Sequence, residues 1–222
     1  MSRLLVKVGG AVAQDAAAHV LALAAQGDEV CVVHGAGPQI SAEMRRFHVP
    51  IRFVGGRRMT SPAGLMLVRR ALAQVNDVLC RALGPRAVGL LGDDIGLEAK
   101  PVPALGLVGE PVPGSPPQVE AALSAGAIPV IAPLARGPLN VNADEAAAAL
   151  AIGLGADRLL FVTDVAGVLL DGEVVTSIEA VEADRLLSGD VLEGGIVPKL
   201  RAAVTAARLG VRAEIGETAV VG

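Results

Sequence analysis

Three lysines stand out in this sequence of 222 residues, because the chain otherwise uses arginine, 16 times, for its positive charges. Lys7 lies just before the pair Gly9-Gly10, and Lys199 lies just after Gly194-Gly195. A glycine pair lets backbone N–H groups approach an anion, and a helix that begins there adds its positive end. A lysine ammonium is a compact charge that fits where a guanidinium fork does not. The two motifs therefore predict phosphate binding, with Lys7 and Lys199 bringing positive charge to a phosphoryl group in transfer.

Phosphoryl transfer depends mainly on positioning and electrostatic stabilisation, so it needs no side-chain nucleophile when the acceptor is a carboxylate. An acidic residue must keep the two lysines apart and oriented, and Asp144, at the start of a predicted helix, is our candidate. Each residue alone also has a structural explanation. His34 at a strand end is more often a hydrogen-bonding residue than a catalyst, and Asp144 or Asp164 can simply favour the start of a helix or turn. Taken together, the motifs indicate a kinase that phosphorylates a carboxylate.

The elements that must position these motifs alternate between strand and helix. The pattern predicts strands over 4–8, 29–33, 87–91, 128–132, 158–162, 211–215 and 218–221, and helices over 15–25, 39–47, 62–82, 117–125, 144–154, 181–187 and 199–209. The stretch 92–117 is rich in Gly and Pro and predicts hairpins and loops, and Asp171-Gly172 predicts a hairpin turn between 168–170 and 173–175. Alternating helices and near-continuous apolar strands are typical of an α/β fold with a mostly parallel sheet covered on both faces.

In an open parallel α/β sheet, ligands bind beyond the carboxyl ends of the strands. Each candidate motif follows a predicted strand or precedes a predicted helix. The motifs are Lys7-Val8-Gly9-Gly10, His34-Gly35-Ala36-Gly37, Asn140-Val141-Asn142-Ala143-Asp144, Thr163-Asp164-Val165-Ala166-Gly167 and Gly194-Gly195-Ile196-Val197-Pro198-Lys199. We therefore expect them to meet at one edge of the sheet.

Composition and charge argue against several classes of function. The net charge is −4, there is no basic run, and Trp and Tyr are absent, so we expect no nucleic-acid partner. Cys31 and Cys80 lie far apart without a metal or disulfide pattern. The sequence shows no signal peptide and no uncharged apolar span of about 18 residues, so we expect a cytoplasmic protein with no membrane partner.

Rival motifs fail in their details. No Gly-Lys pair occurs, so there is no Walker A loop. Gly35-Ala36-Gly37 could begin a dinucleotide fingerprint of a nicotinamide-dependent dehydrogenase, but Ile40 stands where the last glycine belongs and no acid follows at the required distance. The three histidines show no metal-ligand spacing.

The motifs resemble those of the amino-acid kinase family and, within it, the acetylglutamate kinases, over almost the whole chain. Lys7–Gly10 is similar to the family's Lys-x-Gly-Gly, and residues 34–38 resemble His-Gly-Gly-Gly-Pro. Residues 56–60 resemble Gly-x-Arg-x-Thr, which puts the substrate arginine at Arg58. Residues 140–144 match Asn-x-Asn-Ala-Asp, the most specific of the set, and 163–167 and 194–199 match the two nucleotide-side motifs.

The resemblance implies a three-layer α/β/α sandwich with an acceptor-binding and dimerisation lobe over 1–137 and an ATP-binding lobe over 138–222, in one structural unit. It implies transfer from ATP, with Mg²⁺, to the γ-carboxylate of N-acetyl-L-glutamate in arginine synthesis. Lys7, Lys199 and Asp144 would be catalytic. The acceptor would be held by Gly10, Gly35, Ala36, Gly37, Arg58, Asn140 and Asn142. ATP would be held by Lys7, Gly9, Thr163, Asp164, Val165, Ala166, Gly167, Val168, Leu169, Val191, Leu192, Glu193, Gly195 and Lys199.

The sequence departs from the family pattern at four places. Ala36 replaces a glycine, which would cost about 1 kcal/mol if that position needed a positive φ. The segment between Ala132 and Asn140 is short, so we expect a trimmed lip on the acceptor site. The segment after Val211 is also short, which puts the outer wall of the ATP pocket in question. The extension that supports hexamers and arginine inhibition in this family does not precede Arg3, so we expect a homodimer that arginine does not inhibit.

Two alternatives remain open at this point. An aminoadipate kinase acting on a carrier-linked substrate would share the chemistry, and its carrier would need a basic docking surface. A non-catalytic module that senses nucleotide or amino acid would share the fold, but such a protein is expected to have lost a lysine or the aspartate. Lys7, Lys199 and Asp144 are all present.

Overall fold

The structure is a computed structural model that describes residues 1–9, 13–163, 165–170, 172–189 and 192–222. Its helices are α1 (Ala13–Ala25), α2 (Gly37–Arg46), α3 (Pro62–Leu83), α4 (Pro117–Ser124), α5 (Ala143–Gly153), α6 (Ala180–Ser188) and α7 (Ile196–Arg208). Its strands are β1 (Arg3–Val8), β2 (Glu29–His34), β3 (Phe53–Val54), β4 (Arg57–Arg58), β5 (Ala87–Leu91), β6 (Ala99–Pro101), β7 (Val108–Pro111), β8 (Ile128–Ala132), β9 (Leu134–Ala135), β10 (Leu139–Val141), β11 (Arg158–Val162), β12 (Leu169–Leu170), β13 (Glu173–Val174), β14 (Ser177–Glu179), β15 (Arg212–Ile215) and β16 (Thr218–Val221).

The central sheet, in the described residues, has eight strands in the order β14-β16-β15-β11-β1-β2-β8-β5. The strands from β15 to β5 are parallel, and β16 and β14 run the other way at one edge. Strand β1 pairs with β2 on one side and with β11 on the other, so the segments predicted as two lobes share one sheet. The division at residue 137 stays a prediction.

Side chains alternate between the two faces of the strands, and the core shows the same alternation. Leu4 and Val6 of β1 pack with α1 and α3 on one face. Leu5, between them, packs with α4, α5 and α7 on the other face. The sheet therefore lies between two helical layers, which confirms the predicted α/β/α sandwich.

Local signals at the helix ends explain where α3 and α7 begin. Ser61 caps α3, since its hydroxyl accepts the Gly64 N–H at 3.1 Å, and Pro62 occupies the first helical position, as predicted. The predicted start of α7 at Lys199 is wrong by three residues, because the helix begins at Ile196 and includes Pro198. A proline is tolerated in the first turn, where its missing N–H has no helical partner.

A smaller sheet, β6-β7-β10-β9, and the hairpin β3–β4 lie beside the carboxyl ends of the parallel strands. Sequence patterns did not predict β3, β4, β9 or β14, since strands of two or three residues carry no readable alternation. The short segment between Ala132 and Asn140 contains the turn of the β9–β10 hairpin, and the trimmed lip expected there stays a prediction. Strands β12 and β13 pair antiparallel as predicted, with Asp171 of their turn outside the described residues. Within the part of the chain that the structure describes, no helix combines the length and apolar character needed to span a membrane.

Candidate active site

A cavity of about 320 Å³ opens where β1, β2 and β11 end. Register explains this meeting point, since Val8 of β1 lies opposite His34 of β2 and Val162 of β11. The motifs that follow these strands are therefore neighbours. The predicted site residues that line the cavity are Lys7, Gly9, Gly35, Ala36, Gly37, Arg58, Asn140, Asn142, Asp144, Thr163 and Lys199.

Lys7 and Asp144 form a buried ion pair at the floor of this cavity. The Nζ of Lys7 lies 2.8 Å from Oδ1 of Asp144, and the two residues are only 5% and 6% exposed. Asp144 is held in the first turn of α5, because the side chain of Asn142 accepts its backbone N–H at 2.8 Å. A buried pair of this kind loses much more stability when one partner is removed than an exposed pair does. The ammonium of Lys7 is thus held in one place, and the predicted role of Asp144 in orienting both lysines stays a prediction.

Lys199 reaches the same cavity from the first turn of α7. Its Nζ donates to the backbone carbonyl of Gly195 at 3.2 Å, one helical turn earlier. Lys7 and Lys199, far apart in the sequence, therefore bring two positive charges to one cavity.

Arg58 is a buried cation with neutral partners. It is 6% exposed, and its Nη2 donates to the hydroxyl of Ser41 at 2.8 Å and to the carbonyl of Gly37 at 3.3 Å. The ring of Phe53 lies 4.5 Å from its guanidinium carbon, and Nη1 approaches the sulfur of Met44 at 3.4 Å.

No carboxylate among the described residues pairs with Arg58. Burial, and secondarily the charge of Arg45, lower its pKa. A buried guanidinium without a counter-ion indicates a site for an anionic ligand.

Asn140 and Thr60 connect Arg58 to strand β10. The amide of Asn140 donates to the Thr60 hydroxyl at 3.0 Å, and this hydroxyl donates to the Arg58 carbonyl at 2.8 Å. Asn142 serves the structure as well as lining the cavity, because its amide donates to the carbonyl of Gly56 at 3.2 Å while its oxygen caps α5. Its predicted contact with the acceptor stays a prediction.

Ala36 fits its position without backbone strain. Its φ is −144° and its ψ is 30°, so the position does not need the left-handed conformation that would penalise alanine. The residue is buried in the cluster formed by α2 and α3. The substitution of glycine by alanine therefore leaves the turn intact. Gly37 begins α2 and has open space where a Cβ would be, and Gly10 lies outside the described residues.

His34 lies behind the cavity and is fully buried. The side-chain amide of Asn76 donates to its Nε2 at 3.0 Å and to the Val130 carbonyl at 2.8 Å. Burial lowers the pKa of His34 to about 4. Because Nε2 accepts from Asn76, the ring proton sits on Nδ1, which faces the Gly35 carbonyl at 3.4 Å. His34 is a neutral residue that supports the turn, in agreement with the structural explanation considered from the sequence.

The loop after β11, predicted to bind nucleotide, is held from behind by Thr218. The Thr218 hydroxyl accepts the N–H of Val168 at 2.8 Å and donates to the Val175 carbonyl at 2.6 Å. The backbone N–H of Glu217 donates to the carbonyl of Ala166 at 2.7 Å. A Cβ on Gly216 would lie 2.1 Å from that carbonyl oxygen, so only glycine allows this approach. The short β15–β16 connection thus packs directly against the loop.

Several residues predicted to bind ATP lie outside the cavity. Those in the described part of the chain are Val165, Ala166, Gly167, Val168, Leu169, Leu192, Glu193 and Gly195. Val168 is fully buried, and both its N–H and its carbonyl are bonded within the protein. Asp164 and Val191 lie outside the described residues. Nucleotide contacts at all of these positions stay predictions.

Sequence reasoning missed Ser41, Phe53 and Thr60, which hold Arg58 and Asn140. Ser41 carried a usable signal, since it lies one helical turn after Gly37 and so shares its face of α2. Phe53 carried a weaker signal as one of three aromatic residues in the chain. In the described ranges, no group of three His, Cys, Asp or Glu side chains is placed to hold a metal ion.

The chain is similar to known proteins in its family, its sequence and its fold. The family model described as the amino acid kinase family matches residues 2–216. An acetylglutamate kinase from Rubrobacter xylanophilus is 44% identical over 97% of this chain and 88% of its own length. One from Geobacillus stearothermophilus is 39% identical over 91% of this chain and 84% of its own length. The crystal structure of smu.665 from Streptococcus mutans UA159 superposes with a TM-score of 0.88 at 28% identity, covering 99% of this chain and 98% of that one.

Proposed function

Because this chain belongs to the amino acid kinase family, we propose that its cavity transfers the γ-phosphoryl group of ATP to the γ-carboxylate of N-acetyl-L-glutamate. Acetylglutamate kinases share 44% and 39% of their residues with it over most of its length, and the chain is an ATP-dependent kinase of that type. The observation that carries the proposal for the site is that one cavity joins two lysines to a buried arginine that has no carboxylate partner among the described residues.

Arg58 provides the anchor for the acceptor. A guanidinium can donate two parallel hydrogen bonds to a carboxylate, and in this protein a carboxylate would supply the missing counter-ion. Gly37, Ala36 and Asn140 surround the same space, with the apolar side chains of Ile40 and Val108 beside them. We infer that the acceptor's α-carboxylate binds Arg58 and that its γ-carboxylate points towards the lysines.

The reaction then proceeds by direct displacement. A γ-carboxylate oxygen forms a bond to the γ-phosphorus, the bond from that phosphorus to the bridging oxygen breaks, and ADP leaves with the electron pair. Lys7 and Lys199 stabilise the negative charge on the phosphoryl oxygens as it shifts in the transition state. Asp144 occupies one face of the Lys7 ammonium and leaves its other N–H groups for the substrate. Mg²⁺ bound together with the nucleotide would supply further neutralisation of charge on the phosphates.

We also propose that the enzyme is a cytoplasmic homodimer. Strand β5 lies at one edge of the central sheet and is apolar along its whole length. Val88 on this strand and Val78 on α3 are exposed. An uncovered apolar edge strand is a template for pairing with another chain, so two β5 strands are the expected contact. Sedimentation velocity at micromolar concentration tests this, and a monomer would contradict it.

The reaction is tested by trapping the acyl phosphate as a hydroxamate. ATP, Mg²⁺ and hydroxylamine are supplied with N-acetylglutamate, glutamate, aspartate or aminoadipate in turn. We expect turnover with N-acetylglutamate that greatly exceeds turnover with the others. Turnover with aminoadipate alone would move the protein to a different pathway, and no turnover with any acceptor would contradict the proposed reaction.

Arg58→Lys tests the anchor. The ammonium keeps the charge but cannot donate two parallel bonds, so we expect the KM for the acceptor to rise about tenfold or more with little change in the KM for ATP. Arg81→Lys, on the exposed face of α3, is the matched control and should leave both values unchanged. An unchanged KM for the acceptor in Arg58→Lys would exclude Arg58 as the residue that binds the acceptor.

A further inference from the structure

Arg57, the neighbour of Arg58, connects the β3–β4 hairpin to helix α5. Its Nε lies 2.9 Å from Oε1 and 3.1 Å from Oε2 of Glu145, which is 88 positions further along the chain. The side chain of Arg57 lines the cavity beside Arg58 and also reaches Glu145 of α5. The hairpin and the helix are thereby joined by a charged contact.

The Arg57–Glu145 ion pair is partly buried, so we expect it to contribute to stability. The two side chains are 21% and 20% exposed, and Glu110 of β7 adds a second carboxylate 3.6 Å from Nη2 of Arg57. Arg201 of α7 lines a small cavity of about 140 Å³ together with Arg57 and Glu145. Burial raises the pKa of Glu145, and the charge and hydrogen bond of Arg57 oppose that effect. A partly buried pair is screened less by solvent than a surface pair.

Two further contacts fasten the same hairpin to the helices that carry the catalytic residues. Asn142, which caps α5, donates to the carbonyl of Gly56 at the hairpin tip. The position of Gly56 also faces Pro198 of α7, since a Cβ built there would lie 3.6 Å from the proline Cβ. Glu145 directly follows Asp144, and Pro198 directly precedes Lys199. The hairpin therefore contacts the first turns of both α5 and α7.

The hairpin needs such anchors. Strands β3 and β4 have two residues each, and Phe53 and Val54 of β3 are exposed. A two-stranded hairpin of this length is not stable by itself. Without the anchor it would have more freedom before the acceptor binds, and ordering it would then reduce the binding free energy.

We propose that Arg57 and Glu145 are positioning residues whose ion pair holds Arg58 at a set distance from Asp144 and Lys199, and thereby determines the affinity for the acceptor. This inference rests on the proposed function of the same site. Glu145 does not itself line the cavity, whereas Arg57 does, so we expect the Glu145 side chain to act on the acceptor through Arg57 and the hairpin.

Glu145→Gln is the decisive variant, because it keeps the size of the side chain and removes the charge. We expect the KM for N-acetylglutamate to rise about five- to tenfold, with kcat and the KM for ATP changed less than twofold. Arg57→Met removes the same ion pair and also changes the cavity wall, so it should give at least as large a rise, and the double variant should not exceed the effect of Arg57→Met.

Glu214→Gln is the matched control. Glu214 is 21% exposed, like Glu145, and it forms a two-contact pair with Arg158, at 3.1 Å and 2.8 Å, away from the cavity. This control should lower the melting temperature to a similar extent without changing the acceptor KM. If Glu145→Gln lowers the melting temperature but leaves the acceptor KM within twofold of the parent, the pair is only structural and the inference is overturned.

Hydrogen–deuterium exchange of the segment 53–58 separates this inference from the proposed reaction. Faster exchange in Glu145→Gln than in Glu214→Gln supports the anchoring of the hairpin even if the parent enzyme phosphorylates none of the acceptors tested. Equal exchange in the two variants overturns the inference whatever the enzyme's activity.

Discussion

His34 should make the stability of this protein depend on pH in a way that its neighbours do not. The ring is fully buried and accepts a hydrogen bond from Asn76, so protonation would place a charge where no carboxylate among the described residues faces it. Burial lowers the pKa of His34 from 6.5 to about 4. The unfolded chain therefore binds a proton at a pH at which the folded protein does not.

The size of this effect follows from the two pKa values. The neutral ring stabilises the fold fully above pH 6.5, and this contribution is lost as the pH falls from 6.5 towards 4. At about 1.4 kcal/mol per pH unit, the gap corresponds to about 3 kcal/mol. A domain has a total free energy of unfolding of about 5–15 kcal/mol, so His34 alone accounts for a large share of the expected acid sensitivity.

Urea unfolding of the parent, His34→Gln and His19→Gln at several pH values between 7 and 4 tests this reasoning. The carboxylates contribute equally to the pH dependence of the free energy of unfolding in all three proteins. Their contribution therefore cancels when the parent is compared with each variant. The parent should lose about 3 kcal/mol more than His34→Gln over this range. The variant His19→Gln changes an exposed residue of α1 and should show the same pH dependence of the free energy of unfolding as the parent. If His34→Gln shows the same pH dependence as the parent, His34 does not titrate with a lowered pKa and the reasoning is refuted.

Three further substitutions test the site and its supports. Lys199→Arg should lower kcat about a hundredfold or more with the KM for ATP largely retained, and an unchanged kcat would exclude a catalytic role. Thr218→Val removes the partner of the Val168 N–H, so it should cost about 1–3 kcal/mol of stability and raise the KM for ATP, whereas Thr205→Val on the exposed face of α7 should do neither. Ala36→Gly should lower the free energy of unfolding by about 0.5–1 kcal/mol, because the native φ suits alanine, and a gain in stability would contradict this.

Much of the fold was predictable because its signals are local. The continuous apolar runs of β1, β2, β8 and β11 identify buried parallel strands, and Ser61 followed by Pro62 marks the start of α3. The hairpin β3–β4 was not predictable, since strands of two residues have no periodicity and depend on contacts with α5 and α7 for their stability. The start of α7 was misplaced by three residues, since Pro198 lies in its first turn, where a helix accepts proline.

Residue types and local spacing identify the groups available for chemistry, which are Lys7 and Lys199 beside glycine pairs, Asp144 at a helix start, and Arg58 in its motif. The way these groups are combined depends on the arrangement of the strands in the folded protein. The strand order places β1 between β2 and β11, which brings residues from both ends of the chain to one cavity. Side chains that meet through such crossovers, as Arg57 meets Glu145, leave no mark in local sequence, because periodicity and capping report only on neighbours within a few residues.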